Sequence, residues 1–347
     1  MIIISTYVKP GKNLEFDNAP DFLVACMRQR RTLQGISPTS VMTDFISLRE
    51  YLQWLTVYQK TGMSPQTAQE LRAIDLLSMT LDEAINVTRN DIETYLFFCA
   101  DTLGNSTATR HKKLAAVRCF YNYVLDQNDV LRTTLEHNPA DAIKNPKLPK
   151  KQPIYLPEVE RTSLLDAVAG NNVERDYAIL LLILSCGLRV SEVVNITIKD
   201  VNFTAGIIKI HGKGNKERLA YPTPACLDAL KRYCEDYRAI ATDDQNPNAP
   251  FFVAKKTGQR ITTRMIERIM QKCVNAAGIG GMGYTPHKLR HTTATILAKD
   301  GVDLLAIQQI LGHESPTTTQ IYTHLGSEDI EKAVNQSSLM SLGIPNK

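Results

Sequence analysis

No apolar stretch of the chain approaches the ~20 residues that a membrane-spanning helix needs. The longest candidate, YAILLLILSCGL at 177–188, reads as a buried core helix. No CxxC pair is present. The seven cysteines, Cys26, Cys99, Cys119, Cys186, Cys226, Cys234 and Cys273, are odd in number and scattered among apolar neighbours. That pattern argues against a disulfide framework and points to reduced thiols in a cytosolic protein. The start, MIIISTYVKPGK, lacks a basic region and a small-residue cleavage site, so no signal peptide is expected. Charge of one sign is lacking too: 40 Lys and Arg against 36 Asp and Glu leave a net +4, too small to prove a polyanionic partner. There is no internal repeat and no low-complexity tract. What remains is the composition of a globular protein, 43% hydrophobic and 22% charged, with 347 residues giving room for two domains.

Hydrophobic spacing predicts helices at 40–58, 91–103 and 106–127, with a polar, weakly helical connection over 63–87. A Ser/Thr cluster suited to capping opens the 106–127 helix, which carries Arg110, Lys112, Lys113 and Arg118. Then HNPADAIKNPKLPKKQPIYLPEVE (137–160) holds five prolines and four lysines and must run extended. This is the best domain boundary, placing domains at 1–145 and 157–347 around a basic linker at 146–156. Composition leaves open whether the linker straps a polyanion or is merely solvated. Beyond it, 174–187 reads as a helix ending at Gly187, and alternation on both sides of Gly214-Asn215 marks a hairpin over 206–222. A second short turn is expected near 254–262, and the rest to about 335 is mostly helical. The fold class is mainly α with a small antiparallel β-sheet in the second domain.

The segment 285–325, TPHKLRHTTATILAKDGVDLLAIQQILGHESPTTTQIYTHL, concentrates His287, Arg290, His291, His313, Tyr322 and His324. His287 and His291 share a helix face, as HxxxH zinc ligands do. Yet Lys288 stands where a metalloprotease has its glutamate, Arg290 would repel a dication, and no third ligand is suitably spaced. Phosphate suits the residues better. Thr285 and Pro286 make a helix start, so His287 and Arg290 lie near a positive helix terminus. Arginine binds phosphate through a planar fork and keeps its charge. A tyrosine with an ordinary pKa of about 10 needs such cationic neighbours to act as a nucleophile.

In order, SCGLRVSE, HGKGNKER, TPHKLRHTTAT, LGHES and TTTQIYTH resemble the successive motifs of the tyrosine recombinase (phage integrase) family, most of all its bacterial Xer branch. Spacing agrees: Arg189 and Lys213 are 24 positions apart, Arg290 and His313 23, His313 and Tyr322 nine. The resemblance covers roughly 137–330, and the helical N-terminal part is similar in kind. It implies a two-domain DNA clamp, a helical core-binding domain with a mixed α/β catalytic domain. Tyr322 would attack a DNA phosphodiester to give a 3′-phosphotyrosyl link, with no metal, nucleotide or other cofactor. Arg189 and Arg290 would hold the non-bridging oxygens, Lys213 would protonate the leaving 5′-oxygen, and His287 and His313 would manage protons at the phosphate and tyrosine. Glu192 would support Arg189 from behind. His291 and His324 are given to helix packing.

Lys216 and Arg218 are assigned to the DNA backbone, as are Arg110, Lys112, Lys113, Arg118, Lys147, Lys150 and Lys151. The implied partners are double-stranded recombination sites and a homotetramer, or a heterotetramer with a related recombinase, in a bacterial cytoplasm at the nucleoid. The stretch 60–88 reads as an insertion relative to compact Xer proteins, and no separate arm-binding domain is expected ahead of residue 20. The tail 327–343 has Ile330, Val334 and Leu339 on one side, fit to dock on a neighbouring protomer or on its own domain. Chromosome-dimer resolution and mobile-element integration both remain open. Two rival readings are a monomeric type IB topoisomerase-like enzyme and a DNA-binding regulator without catalysis.

Overall fold

The computed structural model describes residues 16–131, 133, 135–145, 147, 154–212, 217–239, 242, 246–312 and 327–343. The chain divides into two compact units, Met1–Lys150 and Lys151–Lys347.

The first unit is helical: α1 Asp21–Thr32, α2 Pro38–Thr61, α3 Ala68–Arg72, α4 Leu81–Ile85, α5 Arg89–Asp101, α6 Thr107–Asp126 and α7 Asn128–Leu131. Local sequence explains the boundaries. Ser37 caps α2 with Pro38 in its first turn, and Gly62 closes it with a left-handed φ of 70°. Thr80 with Glu83, and Thr88 with Asp91, form capping boxes at α4 and α5. Helix α1 stands ahead of the expected set; its start is Pro20, with no side-chain cap to announce it. The core is aromatic, with Tyr51, Trp54, Tyr95, Phe120 and Tyr121 fully buried. Burying hydroxyls demands partners. Tyr51 and Tyr121 share a hydrogen bond of 2.7 Å, and Tyr121 donates to the Ala84 carbonyl at 3.0 Å. Residues 63–87 contribute Leu71, Leu76, Met79, Ala84 and Ile85 to this core. They are therefore an integral part of the unit's packing.

The second unit is built around α9 (Val173–Cys186), buried along nearly its whole length after α8 (Glu158–Asp166). A helix apolar on every side belongs at the centre. Left-handed Gly187 ends it and turns the chain into α10 (Val190–Asn195). Three short strands follow, β1 Val201–Asn202, β2 Ile207–His211 and β3 Glu217–Ala220, antiparallel in the order β1-β2-β3. In the β2–β3 register Ile208 faces Ala220, Ile210 faces Arg218 and His211 faces Glu217. The sheet's inner positions, Ile208, Ile210 and Ala220, join the same core as α9. The helices α11 Pro224–Arg232, α12 Thr263–Ala276, α13 Pro286–Lys299 and α14 Leu304–Leu311 surround it, with a π-helical turn at Tyr233–Arg238. Between α11 and α12, Ala254 accepts from Gly258 at 2.8 Å, which closes the turn expected near 254–262.

The tail forms α15 (Ser327–Asn335) and a 3-10 turn at Ser338–Ser341. Val334, Leu339 and Leu342 are buried in the core of their own unit. Asp300 holds the turn by accepting from the Ser338 amide at 2.7 Å and its hydroxyl at 2.8 Å. Of the two docking surfaces expected for this segment, the single chain uses its own. All seven cysteines are free. Among the described residues no helix is long and apolar enough to cross a membrane.

Candidate active site

Three arginines from three elements converge on the end of α14. Arg189 stands in the N-cap position of α10, directly after the Gly187 turn. Its amide donates to Glu192 Oε2 at 2.8 Å and its Nη1 to Oε1 at 2.9 Å. Its Nη2 reaches the Gly312 carbonyl at 2.8 Å. Arg290, in the second turn of α13, donates from Nη1 to the Gly187 carbonyl at 2.7 Å and from Nη2 to the Leu311 carbonyl at 2.6 Å. Arg218, on β3, donates from Nη2 to Glu192 Oε2 at 3.0 Å and to the Leu311 carbonyl at 3.3 Å. The last carbonyls of a helix carry partial negative charge and attract cations. Here they take bonds from all three guanidinium groups.

Three positive charges meet one carboxylate, so the cluster carries an excess of positive charge. Burial, reinforced by neighbouring Arg189 and opposed by Glu192, pulls Arg290 down to about 10, still charged at neutral pH. Burial also lowers Arg218, against the pull of Glu192. Arg290 is 5% exposed whereas the Arg189 side chain is 36% exposed. One arginine is thus locked in the protein, and the other presents an accessible face to an incoming anion. Two left-handed glycines make the close approach feasible. A Cβ on Gly187 would collide with Leu311, and one on Gly312 would stand 2.7 Å from Arg218 Nε.

His287 is exposed in the first turn of α13, one turn ahead of Arg290. Thr285 occupies the N-cap with Pro286 behind it, but its side chain makes no capping bond. Lys213, Lys216, His313, Tyr322, His324, Lys150 and Lys151 lie outside the described residues. His291 is exposed, so the helix-packing duty expected of it is corrected: it sits on the outer face of α13. Among the described residues no cluster of His, Cys, Asp and Glu could hold a metal ion.

The expected DNA-facing cations separate into different environments. On α6, Lys112 is exposed and Arg110 half-buried. Lys113 is instead buried and ion-paired with Glu50. Arg118 turns onto the following segment, donating to the Ala140 carbonyl at 3.1 Å, to Asn145 Oδ1 at 2.7 Å and to the Ile143 carbonyl. Lys147 is exposed. Arg218 is the clearest departure, since its guanidinium faces Glu192 and not solvent. Helix α12 carries a further polar face, outside the expected set. Its buried face is Ile266, Ile269, Met270, Cys273 and Val274. Its exposed face includes Arg264, Arg268, Gln271 and Asn275, and Gln271 donates to Asn275 Oδ1 at 3.0 Å. Arg and the side-chain amides are the groups that read base edges bidentately. The helical period of this stretch was the signal that could have found them.

Comparison with known proteins finds relatives of this chain. The model of the phage integrase family matches residues 155–328. Tyrosine recombinase XerC of Caldanaerobacter subterraneus subsp. tengcongensis is 36% identical over 341 residues, covering 97% of this chain and 93% of that protein. XerC of Chlamydia muridarum is 34% identical over 313 residues, covering 89% and 94% respectively. Among solved structures, XerH site-specific recombinase bound to difH substrate matches with a TM-score of 0.62 at 22% identity, covering 90% of this chain and 82% of that one. A lambda integrase (75–356) dimer bound to a COC′ core site matches with a TM-score of 0.60 at 13% identity, covering 88% and 98%. These two likenesses are of fold.

Proposed function

Because the chain belongs to the phage integrase family and is a tyrosine site-specific recombinase acting on DNA, we propose that its cleavage centre comprises Arg189, Lys213, His287, Arg290, His313 and Tyr322. The supporting observation is the meeting of Arg189 and Arg218 on the Glu192 carboxylate and of Arg218 and Arg290 on the Leu311 carbonyl, with positive charge left over for a phosphate. Tyr322 attacks the scissile phosphorus, the P–O5′ bond breaks, and a 3′-phosphotyrosyl link and a 5′-hydroxyl result. Arg189 and Arg290 stabilise the charge that builds on the non-bridging oxygens. Lys213 gives a proton to the departing 5′-oxygen, while His287 and His313 hydrogen-bond the phosphate and take the tyrosine proton. The link keeps the bond energy, so a second 5′-hydroxyl can reverse the step on a new partner.

In this reading the unit up to residue 150 is a helical DNA-binding domain and the unit beyond it is catalytic. Lys112, Arg110 and Lys147 contact phosphates, and the outer face of α12 lies toward base edges. Four protomers bring two sites together, and the tail 327–343 passes to a neighbour, making there the contacts it makes here. The setting is the bacterial nucleoid.

A nicked suicide substrate, drawn from DNA fragments selected by the purified protein, tests this. The nick lets the short 5′-product leave and traps the adduct. Wild-type protein should form a covalent protein–DNA species, and Tyr322→Phe should bind the DNA without forming one. No adduct from the wild type, or an adduct that survives Tyr322→Phe, sinks the proposal.

A further inference from the structure

Arg218 has no task in the cleavage scheme above, yet the arrangement of the site converges on it. It lies on β3 opposite Ile210, two positions after the 213–216 stretch of the sequence that includes Lys213. Its Nη2 bonds Glu192 Oε2, while the other oxygen of that carboxylate bonds Arg189. Glu192 is thus bridged between two guanidinium groups, and the direction in which Arg189 points depends on both. The same Nη2 shares the Leu311 carbonyl with Arg290. The chain at Gly312, the residue before His313, rests on the Arg218 side chain so closely that no Cβ fits.

Stabilisation alone is a poor reason for such a residue. A buried ion pair loses about as much in desolvation as it recovers in attraction. Arg218 Nη1 is also inaccessible to solvent and has no hydrogen-bond partner among the described residues. A buried donor left unpaired weakens a fold and calls for another explanation. Burial lowers the pKa of this guanidinium as well, which marks an environment unfavourable to its charge.

We propose that Arg218 is a positioning residue for DNA cleavage, holding Glu192 so that Arg189 faces the scissile phosphate and seating the chain that leads into His313. It acts through Glu192 and Arg189, and so rests on the cleavage reading above. The phosphate should need Arg218 only as far as it needs Arg189.

The experiment compares two suicide substrates, one with the ordinary phosphodiester and one with a methylphosphonate at the cleavage position, which removes a negative charge. Arg189 neutralises that charge, so losing it should matter less on the neutral substrate. Arg218→Gln should bind duplex DNA like the wild type and form adduct on the order of 10²-fold more slowly on the phosphodiester at saturating DNA. On the methylphosphonate its deficit should shrink markedly, and Arg189→Gln should show the same pattern. Adding Glu192→Gln to Arg218→Gln should cost little more than either change alone, as expected of residues acting in one chain. Arg218→Lys keeps a cation but is shorter and lacks the planar guanidinium that reaches Glu192 and the Leu311 carbonyl from one fixed orientation, so it should show the same substrate dependence even if the Gln variant folds poorly. Equal deficits on the two substrates, wild-type rates, or fully multiplicative losses with Glu192→Gln would overturn the inference. An absent wild-type adduct would instead strike the cleavage reading on which it rests.

Discussion

Arg290 donates to the carbonyl of Leu311 at 2.6 Å, and this bond ties the start of α13 to the end of α14 inside the cation cluster. The same guanidinium holds the Gly187 carbonyl at 2.7 Å, so one planar group fixes two turns of the site. Lysine carries its donors on one nitrogen and cannot reproduce the two-nitrogen fork that reaches both carbonyls. Arg290→Lys should therefore lower unfolding stability by about 1–3 kcal/mol through the carbonyl left unpaired. It should also slow adduct formation by roughly 10²–10³-fold. Urea unfolding and a suicide-substrate time course would check the two effects, and wild-type cleavage by this variant would refute the role given to Arg290.

Gly312 can be separated into its backbone and its contact. Gly301 and Gly312 both have left-handed φ, 80° and 65°, but a Cβ at 301 would meet nothing within 4 Å. Gly301→Ala and Gly312→Ala should each cost about 1–2 kcal/mol in backbone strain. Only Gly312→Ala should also impair cleavage, because its methyl displaces Arg218. Parallel melting and adduct assays decide it, and equal cleavage by the two variants would contradict the expectation.

Lys112 and Lys113 are sequence neighbours with opposite predicted behaviour. Lys112→Ala should leave the fold intact, weaken duplex binding, and reduce the slope of log affinity against log salt by about one unit. Lys113→Ala strands Glu50 and should destabilise the first unit with little change in that slope. Binding titrations across a salt series, beside thermal melts, would show whether the two roles are reversed.

Asp200, in the turn just ahead of β1, supplies a pH test. Burial raises its pKa, but hydrogen bonds from the Thr197 side chain, from His211 and from the Thr197 amide outweigh that and leave it below the usual carboxylate range. A carboxyl depressed in the fold contributes stability that is present above its ordinary value near 3.8 and lost as pH falls through the folded value. Asp200→Asn should cost about 1–3 kcal/mol at pH 7. That gap should narrow below about pH 4. A gap unchanged between urea melts at pH 7 and pH 3.5 would speak against it.

Lys213 is tested by its leaving group. A 5′-thiol departs without a proton, so Lys213→Ala should fail on the ordinary 5′-oxygen substrate and recover on the 5′-thio substrate. Equal loss on both would assign Lys213 to binding.

The two arginines that the structure brings together at the end of α14 were legible because they sit in short motifs whose chemistry is local. Arg189 after a glycine turn and Arg290 one turn behind His287 need only a few neighbours to be recognised. Arg218 was misassigned because its burial depends on Leu311 and Gly312, 93 and 94 positions away; a hairpin residue looks solvated until that helix end is in place. Lys113 was misassigned for a reason within reach of the sequence. At about 100° per residue it turns toward the side of Phe120 and Val124, and Lys112 away from it. Helix α1 was missed because Pro20 supplies a start without a capping side chain. The helices at 106–127 and 174–187 were plain because strong periodicity or continuous hydrophobicity coincided with a Ser cap or a Gly stop.

The buried thiols have a practical corollary for attachment chemistry. Burial pushes Cys99 and Cys234 up to about 11 and Cys186 to about 12, and raises Cys26, Cys119, Cys226 and Cys273 as well. At neutral pH a thiol of pKa 11 is ionised in about one molecule in 10⁴, whereas an ordinary exposed cysteine is ionised at a few per cent. A maleimide dye would thus find a cysteine newly placed at Lys112 well before Cys99 or Cys186, which are both buried and held protonated.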